Sequence, residues 1–274
     1  MNQLGWIRSG IPQIRISCQP SPMGSSFGHC RGPWSNPRKE PLEHLDRMSD
    51  AAIALKICGL TDHFQACFIA AMGAQAIGVI GVDQTPRFVE EPRRRFIFME
   101  LEKLHPTVER VWVVADPSDH AIGSALQGEG TPTVVQLHGS ETPERCIQLK
   151  QRHPKVRWWK ALKLRTEHDL SELSSFEPHT DALLLDAWSP DQLGGTGHRL
   201  NPSWFTHLHD QLKPNTVWWL AGGISAEWVP ELLSLVSPYG LDASSRLESQ
   251  PGVKDLNKVR ALVQAVHDNE PLRQ

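Results

Sequence analysis

Leu55-Lys56-Ile57-Cys58-Gly59-Leu60-Thr61 is the stretch on which the fold turns. It reads as an apolar strand that ends in a thiol and runs into a short turn. An open, doubly wound sheet that binds a dinucleotide carries several glycines in the turn after its first strand. Here the turn Cys58-Gly59-Leu60-Thr61 holds one. Working outward, the first apolar run is Ile53–Cys58, and seven more follow it. They are Ala76–Ile80, Val108–Val114, Thr133–Leu137, Val156–Leu162, Ala182–Asp186, Thr216–Leu220 and Tyr239–Asp242. Their ends lie roughly 20–35 residues apart, the size of one strand–helix unit. Short continuous apolar strands alternating with helices imply a parallel sheet buried on both faces. Eight such units predict an α/β chain with a single closed (β/α)8 barrel over residues 51–274.

The intervening helices carry their own start and stop signals. Thr61 is the expected cap of a first helix with Phe64, Phe68, Ala71 and Met72 on its apolar face and Gly73 as its stop. Thr142-Pro143 is a cap followed by proline at the first helical turn, and Thr166 with Asp169 resembles a capping box. Ser225 opens a helix presenting Trp228, Val229, Leu232, Leu233 and Val236. Asp255 opens a last one presenting Leu256, Val259, Leu262, Val263 and Val266.

Composition narrows the partners. A chain of 274 residues with a formal net charge of −3 gives no argument for nucleic acid or an anionic membrane. No apolar run approaches the ~20 residues that span a bilayer. Five cysteines without short disulfide or zinc spacing fit a reducing, cytoplasmic setting. Residues 1–50 differ from the rest: they are rich in Pro, Ser, Gly and Arg, and acidic residues are absent until Glu40. A disordered extension is expected there. Its readings are a non-functional arm, an upstream start with Met48 as the true beginning, or a basic targeting segment.

The chemistry is expected at the C-terminal ends of the strands, where barrels of this kind keep their active sites. Cys58 ends the first strand and Asp186 the sixth, the latter ahead of Gly194-Gly195-Thr196-Gly197; a thiol and a carboxylate so placed make an acid–base pair. Lys56 lies deeper on the face of Cys58, and Gln136 shares a face with His138. Lys56 and Lys160 read as paired charges beneath the site. Gly222 and Gly223, with Ser244 and Ser245 at the next strand end, read as a phosphate cradle after strands seven and eight, helped by the helix start near Ser225. Each residue has a plainer reading. A lone cysteine in an apolar strand is ordinarily a small buried hydrophobe, as Cys67 and Cys146 are expected to be, and an aspartate before a loop ordinarily forms the turn. His138 bonding its own loop and Arg87 as a solvated charge are equally ordinary. What favours a site is that all of them fall at one end of the inferred barrel.

Over about residues 53–266 the chain closely resembles the phosphoribosylanthranilate isomerases. The resemblance is carried by Lys56-Ile57-Cys58-Gly59-Leu60-Thr61, Thr85-Pro86-Arg87-Phe88-Val89, Val135-Gln136-Leu137-His138-Gly139, Leu184-Leu185-Asp186, Gly194-Gly195-Thr196-Gly197, Ala221-Gly222-Gly223-Ile224 and Leu241-Asp242-Ala243-Ser244-Ser245, followed by Pro251-Gly252-Val253-Lys254-Asp255. It implies an isomerase of tryptophan biosynthesis that runs an Amadori rearrangement without metal or cofactor. It further implies Asp186 as general acid and Cys58 as general base, with Arg87 on the substrate's carboxylate. Gln136, His138 and Asp242 would line the sugar, and Gly222, Gly223, Ser244 and Ser245 would hold the phosphate. The expected partner is a small phosphorylated substrate, and the chain is expected to act as a monomer or weak homodimer. Three segments depart from the family pattern: Arg246 stands where glycine is usual, Val114-Ala115-Asp116 ends strand three, and Leu200-Asn201-Pro202-Ser203-Trp204 follows the glycine loop. The rival readings are another phosphosugar barrel enzyme, such as an epimerase, and a silent barrel scaffold.

Overall fold

The computed structural model describes residues 52–187 and 200–269. The predicted disordered extension at residues 1–50 and the Gly194–Gly197 turn lie outside the described residues. Strands β1 (Ala54–Cys58), β2 (Ala76–Ile80), β3 (Glu109–Val114), β4 (Val134–Leu137), β5 (Arg157–Leu164), β6 (Ala182–Ala187), β7 (Trp218–Ala221) and β8 (Gly240–Ala243) pair in chain order. All are parallel, and β8 returns to β1 with Lys56 opposite Asp242, which closes the barrel. Outside it lie α1 (His63–Ala71), α2 (Glu91–Leu104), α3 (Asp119–Ala125), α4 (Pro143–Arg152), α5 (Leu173–Phe176), α6 (Phe205–Gln211), α7 (Val229–Leu235) and α8 (Leu256–Asp268). A small antiparallel hairpin, β9 (Glu248–Gln250) and β10 (Val253–Lys254), stands between β8 and α8.

Strand alternation divides the buried side chains into two sets. Leu55, Ile57, Ile77, Val79, Val135, Leu183 and Leu185 face the helices. Ala54, Val111, Val134, Ala182, Leu184, Trp159 and Trp219 fill the barrel. The two indoles stack with centroids 4.9 Å apart. Gly240 admits the second of them, since a Cβ at that position would sit 2.4 Å from the Trp219 ring.

The strand predictions hold to within two residues, and Thr142 and Asp255 cap α4 and α8 as expected. Gly73 takes φ +110 after the last turn of α1, the left-handed stop that glycine permits. Other expectations need correction. The cap of α1 is Asp62, whose carboxylate accepts from the Gln65 amide, while Thr61 Oγ1 donates to the Gly252 carbonyl. The buried face of α1 is Ala66, Ile69 and Ala70, leaving Phe64 73% and Phe68 50% exposed. Small residues let the helix approach the sheet closely, and the phenylalanine rings turn outward, Phe64 against His63 and His63 against Phe96. The Thr166–Asp169 capping box opens a 3-10 turn at Glu167–Glu172 rather than an α-helix. Regular helix after β7 begins at Val229, four residues past Ser225, whose carbonyl accepts from Trp228 and Val229.

Candidate active site

At the C-terminal end of the barrel one cavity is lined by all ten residues assigned catalytic or binding roles from the sequence. Cys58 comes from β1, Gln136 and His138 from β4 and its end, Asp186 from β6, and Asp242 from β8; the β2–α2 loop gives Arg87. Gly222-Gly223 and Ser244-Ser245 follow β7 and β8, and Arg246 completes the rim.

Beneath the thiol lies a buried charge pair. Lys56, fully buried, donates to Asp242 Oδ2 at 2.7 Å. Burial raises the Asp242 carboxyl and Lys56 pulls it back. Burial also works against a charged Lys56, yet Asp242 and Cys58 hold its ammonium above the ordinary lysine value. Burial pushes the Cys58 thiol up, opposed by the positive charge of Lys56 and, further off, Lys254. Burial therefore favours the neutral thiol over the thiolate at this strand end. Gly78 on β2 makes room for it: a Cβ there would lie 2.7 Å from the sulfur. Lys160, expected beneath the site, lies on the other side of the sheet. It shares the helix-facing side with Trp158 and Leu162, and its ammonium bonds Glu141 at 2.7 Å and the Gly139 carbonyl at 2.9 Å.

On the opposite wall His138 Nε2 lies 3.2 Å from Asp186 Oδ2, within ion-pair range though its angle falls short of a hydrogen bond. Gln136 Nε2 stands 3.4 Å from His138 Nδ1. Behind them Glu141 accepts from the backbone N–H groups of Asp116 and Gly139, which fixes the turn carrying His138. Asp116, one of the family departures, adopts φ +48; its Oδ1 in turn accepts from Ser140 N–H.

The cradle after β7 is built from backbone. Gly222 and Gly223 take φ +92 and +66, left-handed values that glycine adopts without steric cost. The predicted contribution from a helix start at Ser225 is displaced by the late onset of α7. Sequence reading missed a 3-10 turn, Ser245–Leu247, that opens directly after Ser244. Arg246 sits inside that turn without a positive φ, so its substitution for glycine carries no backbone strain.

The partner of Arg87, Glu248, and the second cation on it, Lys254, were also missed. Arg87 Nε and Nη2 donate to the two oxygens of Glu248 at 2.8 and 2.7 Å. Lys254 Nζ donates to the same carboxylate at 2.8 Å and to the Ser244 carbonyl at 3.2 Å, and Ser244 Oγ donates to the Cys58 carbonyl at 3.0 Å. The only hint in the sequence was the Pro251–Asp255 motif, to which no role had been attached.

A closed parallel barrel with an acid, a thiol and a glycine–serine cradle in one cavity at its C-terminal strand ends defines the class: a (β/α)8-barrel enzyme. The sequence matches the N-(5'phosphoribosyl)anthranilate (PRA) isomerase family over residues 55–265. An N-(5'-phosphoribosyl)anthranilate isomerase of Nostoc punctiforme is 41% identical over 216 residues, 79% of this chain and 99% of that one. Its counterpart in Synechococcus elongatus is 42% identical over 221 residues, 81% and 99% of the two chains. The solved Thermus thermophilus phosphoribosyl anthranilate isomerase is 32% identical with a TM-score of 0.67, covering 79% of this chain and 99% of its own. A further solved isomerase, in complex with reduced 1-(o-carboxyphenylamino)-1-deoxyribulose 5-phosphate, is 25% identical with a TM-score of 0.67 over the same shares. The chain belongs to the N-(5'-phosphoribosyl)anthranilate isomerase family, enzymes of tryptophan biosynthesis.

Proposed function

We propose that this chain converts N-(5′-phosphoribosyl)anthranilate into 1-(2-carboxyphenylamino)-1-deoxyribulose 5-phosphate, with Asp186 as general acid and Cys58 as general base. The observation that carries this reading is that the acid, the base and the glycine–serine cradle line one cavity. The protonated Asp186 carboxyl gives its proton to the ribose ring oxygen as the C1′–O bond breaks, leaving a Schiff base. The Cys58 thiolate then removes the proton from C2′. The resulting enolamine takes up a proton at C1′ as C2′ becomes the ketone, so the sum is an isomerisation with no atom gained or lost. His138, held against Asp186, orients the carboxyl toward the ring oxygen.

Binding follows the same geometry. Arg87 pairs with the anthranilate carboxylate, a charge-assisted contact suited to a guanidinium fork. Gly222, Gly223, Ser244 and Ser245 receive the phosphate, with Arg246 adding positive charge at the rim. Gln136 Oε1 and Asp242 Oδ1 are buried acceptors with no partner among the described residues, and they accept from the sugar hydroxyls. A thiol base requires a reducing compartment, so the reading includes a cytoplasmic setting. One solved structure from Thermotoga maritima is of monomers generated from a dimeric phosphoribosylanthranilate isomerase; for this chain we propose a monomer or weak homodimer, decided by light scattering across a concentration series.

The test is complementation of a tryptophan auxotroph lacking the isomerase, followed by turnover of purified variants. The wild-type chain should restore growth. Asp186→Asn should keep its fold and affinity for inorganic phosphate while losing nearly all turnover, because an amide donates no useful proton. Cys58→Ser should be slower at every pH. Near-native turnover in either variant removes that residue from its role.

A further inference from the structure

Three buried charges connect the parts of the site from behind. Glu248 stands on the β9–β10 hairpin, and its carboxylate receives Arg87 from one side and Lys254 from the other. The Gly252 amide donates to it at 3.3 Å. The side chains of Arg87, Glu248 and Lys254 are 7%, 5% and 0% exposed, so the cluster is largely withdrawn from water, with Arg87 reaching the cavity wall. The hairpin is fastened to the first βα unit as well. Thr61 Oγ1 donates to the Gly252 carbonyl, and Gln65 exchanges hydrogen bonds with the backbone of Lys254. Gly59, at φ +79, lets the stem of Arg87 lie across the end of β1, where a Cβ would meet Arg87 Cδ at 2.7 Å.

The geometry points to Glu248 as the residue that positions Arg87 for the substrate's aromatic carboxylate, and so as a determinant of specificity for an acidic aglycone. The inference rests on the assignment of Arg87 to that carboxylate. Glu248 grips the guanidinium side-on, along its Nε–Nη2 edge. This leaves the Nη1–Nη2 edge for a second, end-on carboxylate, in one orientation rather than many. A lone arginine in this place would be free to swing toward Asp186 or Asp242, which share the cavity. Lys254 leaves the three buried charges with a net of +1, which suits the site to an anion.

The experiment compares two substrates: N-(5′-phosphoribosyl)anthranilate and N-(5′-phosphoribosyl)aniline, which lacks the carboxylate. Wild type should strongly prefer the first. Glu248→Gln should raise KM for the anthranilate substrate about tenfold or more, the order of loss expected when a positioning contact is misplaced. It should leave kcat within about threefold and leave KM for the aniline substrate nearly unchanged. Glu248→Asp, which keeps the charge and draws the guanidinium back, should shift KM in the same direction by less, and it decides the matter if the Gln variant does not fold. Equal losses on both substrates in a folded variant would show that Glu248 is structural only and overturn the inference. Arg87→Ala is the control for the underlying assignment. If that variant keeps the wild-type preference for the anthranilate substrate, the assignment of Arg87 fails; if it loses the preference while the Glu248 variants keep it, the inference alone fails.

Discussion

Lys56 shows how one buried side chain decides what its neighbour does. It lies between Asp242 and Cys58, and its charge opposes the burial that pushes the thiol up. With the folded thiol above the ordinary value of 9.0, the base form is scarce at neutral pH. Turnover limited by that base should rise with pH through neutrality and level off only beyond 9.0. The same shift acts on stability with the opposite sign. Unfolded chains lose the thiol proton first, so the contribution of this group is full below the ordinary thiol value and declines as pH rises past it. Lys56→Met should move the pH–rate curve further to alkaline pH and cut turnover at pH 7 about tenfold for each unit of thiol shift. It should also cost about 3–5 kcal/mol, because Asp242 is left buried without its cation. A superimposable pH–rate profile in the variant would show that the thiol does not lean on Lys56. The face shared by Lys56 and Cys58 was legible in the sequence, since strand alternation fixes it. The direction of the thiol shift was not, because it depends on how deeply the strand end is buried and on which charges surround it.

At the scale of the element, the strands were easier to read than the helices. A central parallel strand is apolar on both faces, so its limits show as a change of composition. Helix α1 is apolar around most of its girth: Phe64, Phe68, Ala71 and Met72 form one stripe, Ala66, Ile69 and Ala70 another. Periodicity alone cannot choose between two stripes; packing against the sheet selects the one with the smaller residues. Two substitutions separate them. Ile69→Ala should destabilise by about 2–5 kcal/mol, as a fully buried side chain leaving a cavity does. Phe64→Ser, on the outer stripe, should stay within about 0.5 kcal/mol of wild type. Urea unfolding followed by circular dichroism measures both, and a larger loss for Phe64→Ser would reverse the assignment of the faces. The β9–β10 hairpin was illegible for another reason. Its strands have three and two residues, too short for any period, and Glu248 and Lys254 matter only through contacts that the turn at Gly252 creates.

For the whole molecule, what counts is where the ring closes. The count of eight apolar runs implied closure before any contact was known, because an eight-stranded parallel sheet with alternating helices is stable as a ring. The register that joins its ends could not be read, since it depends on pairing across most of the chain: Ala54 opposite Gly240 and Ile57 opposite Ala243. That seam starts at Ala54, whose amide donates to the Tyr239 carbonyl at 3.0 Å. Among the described residues, the core begins at Ile53, one residue ahead of β1. Every described residue in the cavity wall also follows that point in the chain, the first being Cys58. Removing residues 1–47 therefore deletes no strand of the ring and none of the described groups of the site. A protein beginning at Met48 should fold, turn over substrate at the full-length rate, and melt within the few degrees that correspond to about 1 kcal/mol in a domain of this size. Differential scanning calorimetry and steady-state kinetics on the two forms make the comparison. Insolubility, or a larger drop in melting temperature, would mean that the deleted residues pack against the barrel, and the assignment of 1–50 as a separate extension would have to be abandoned.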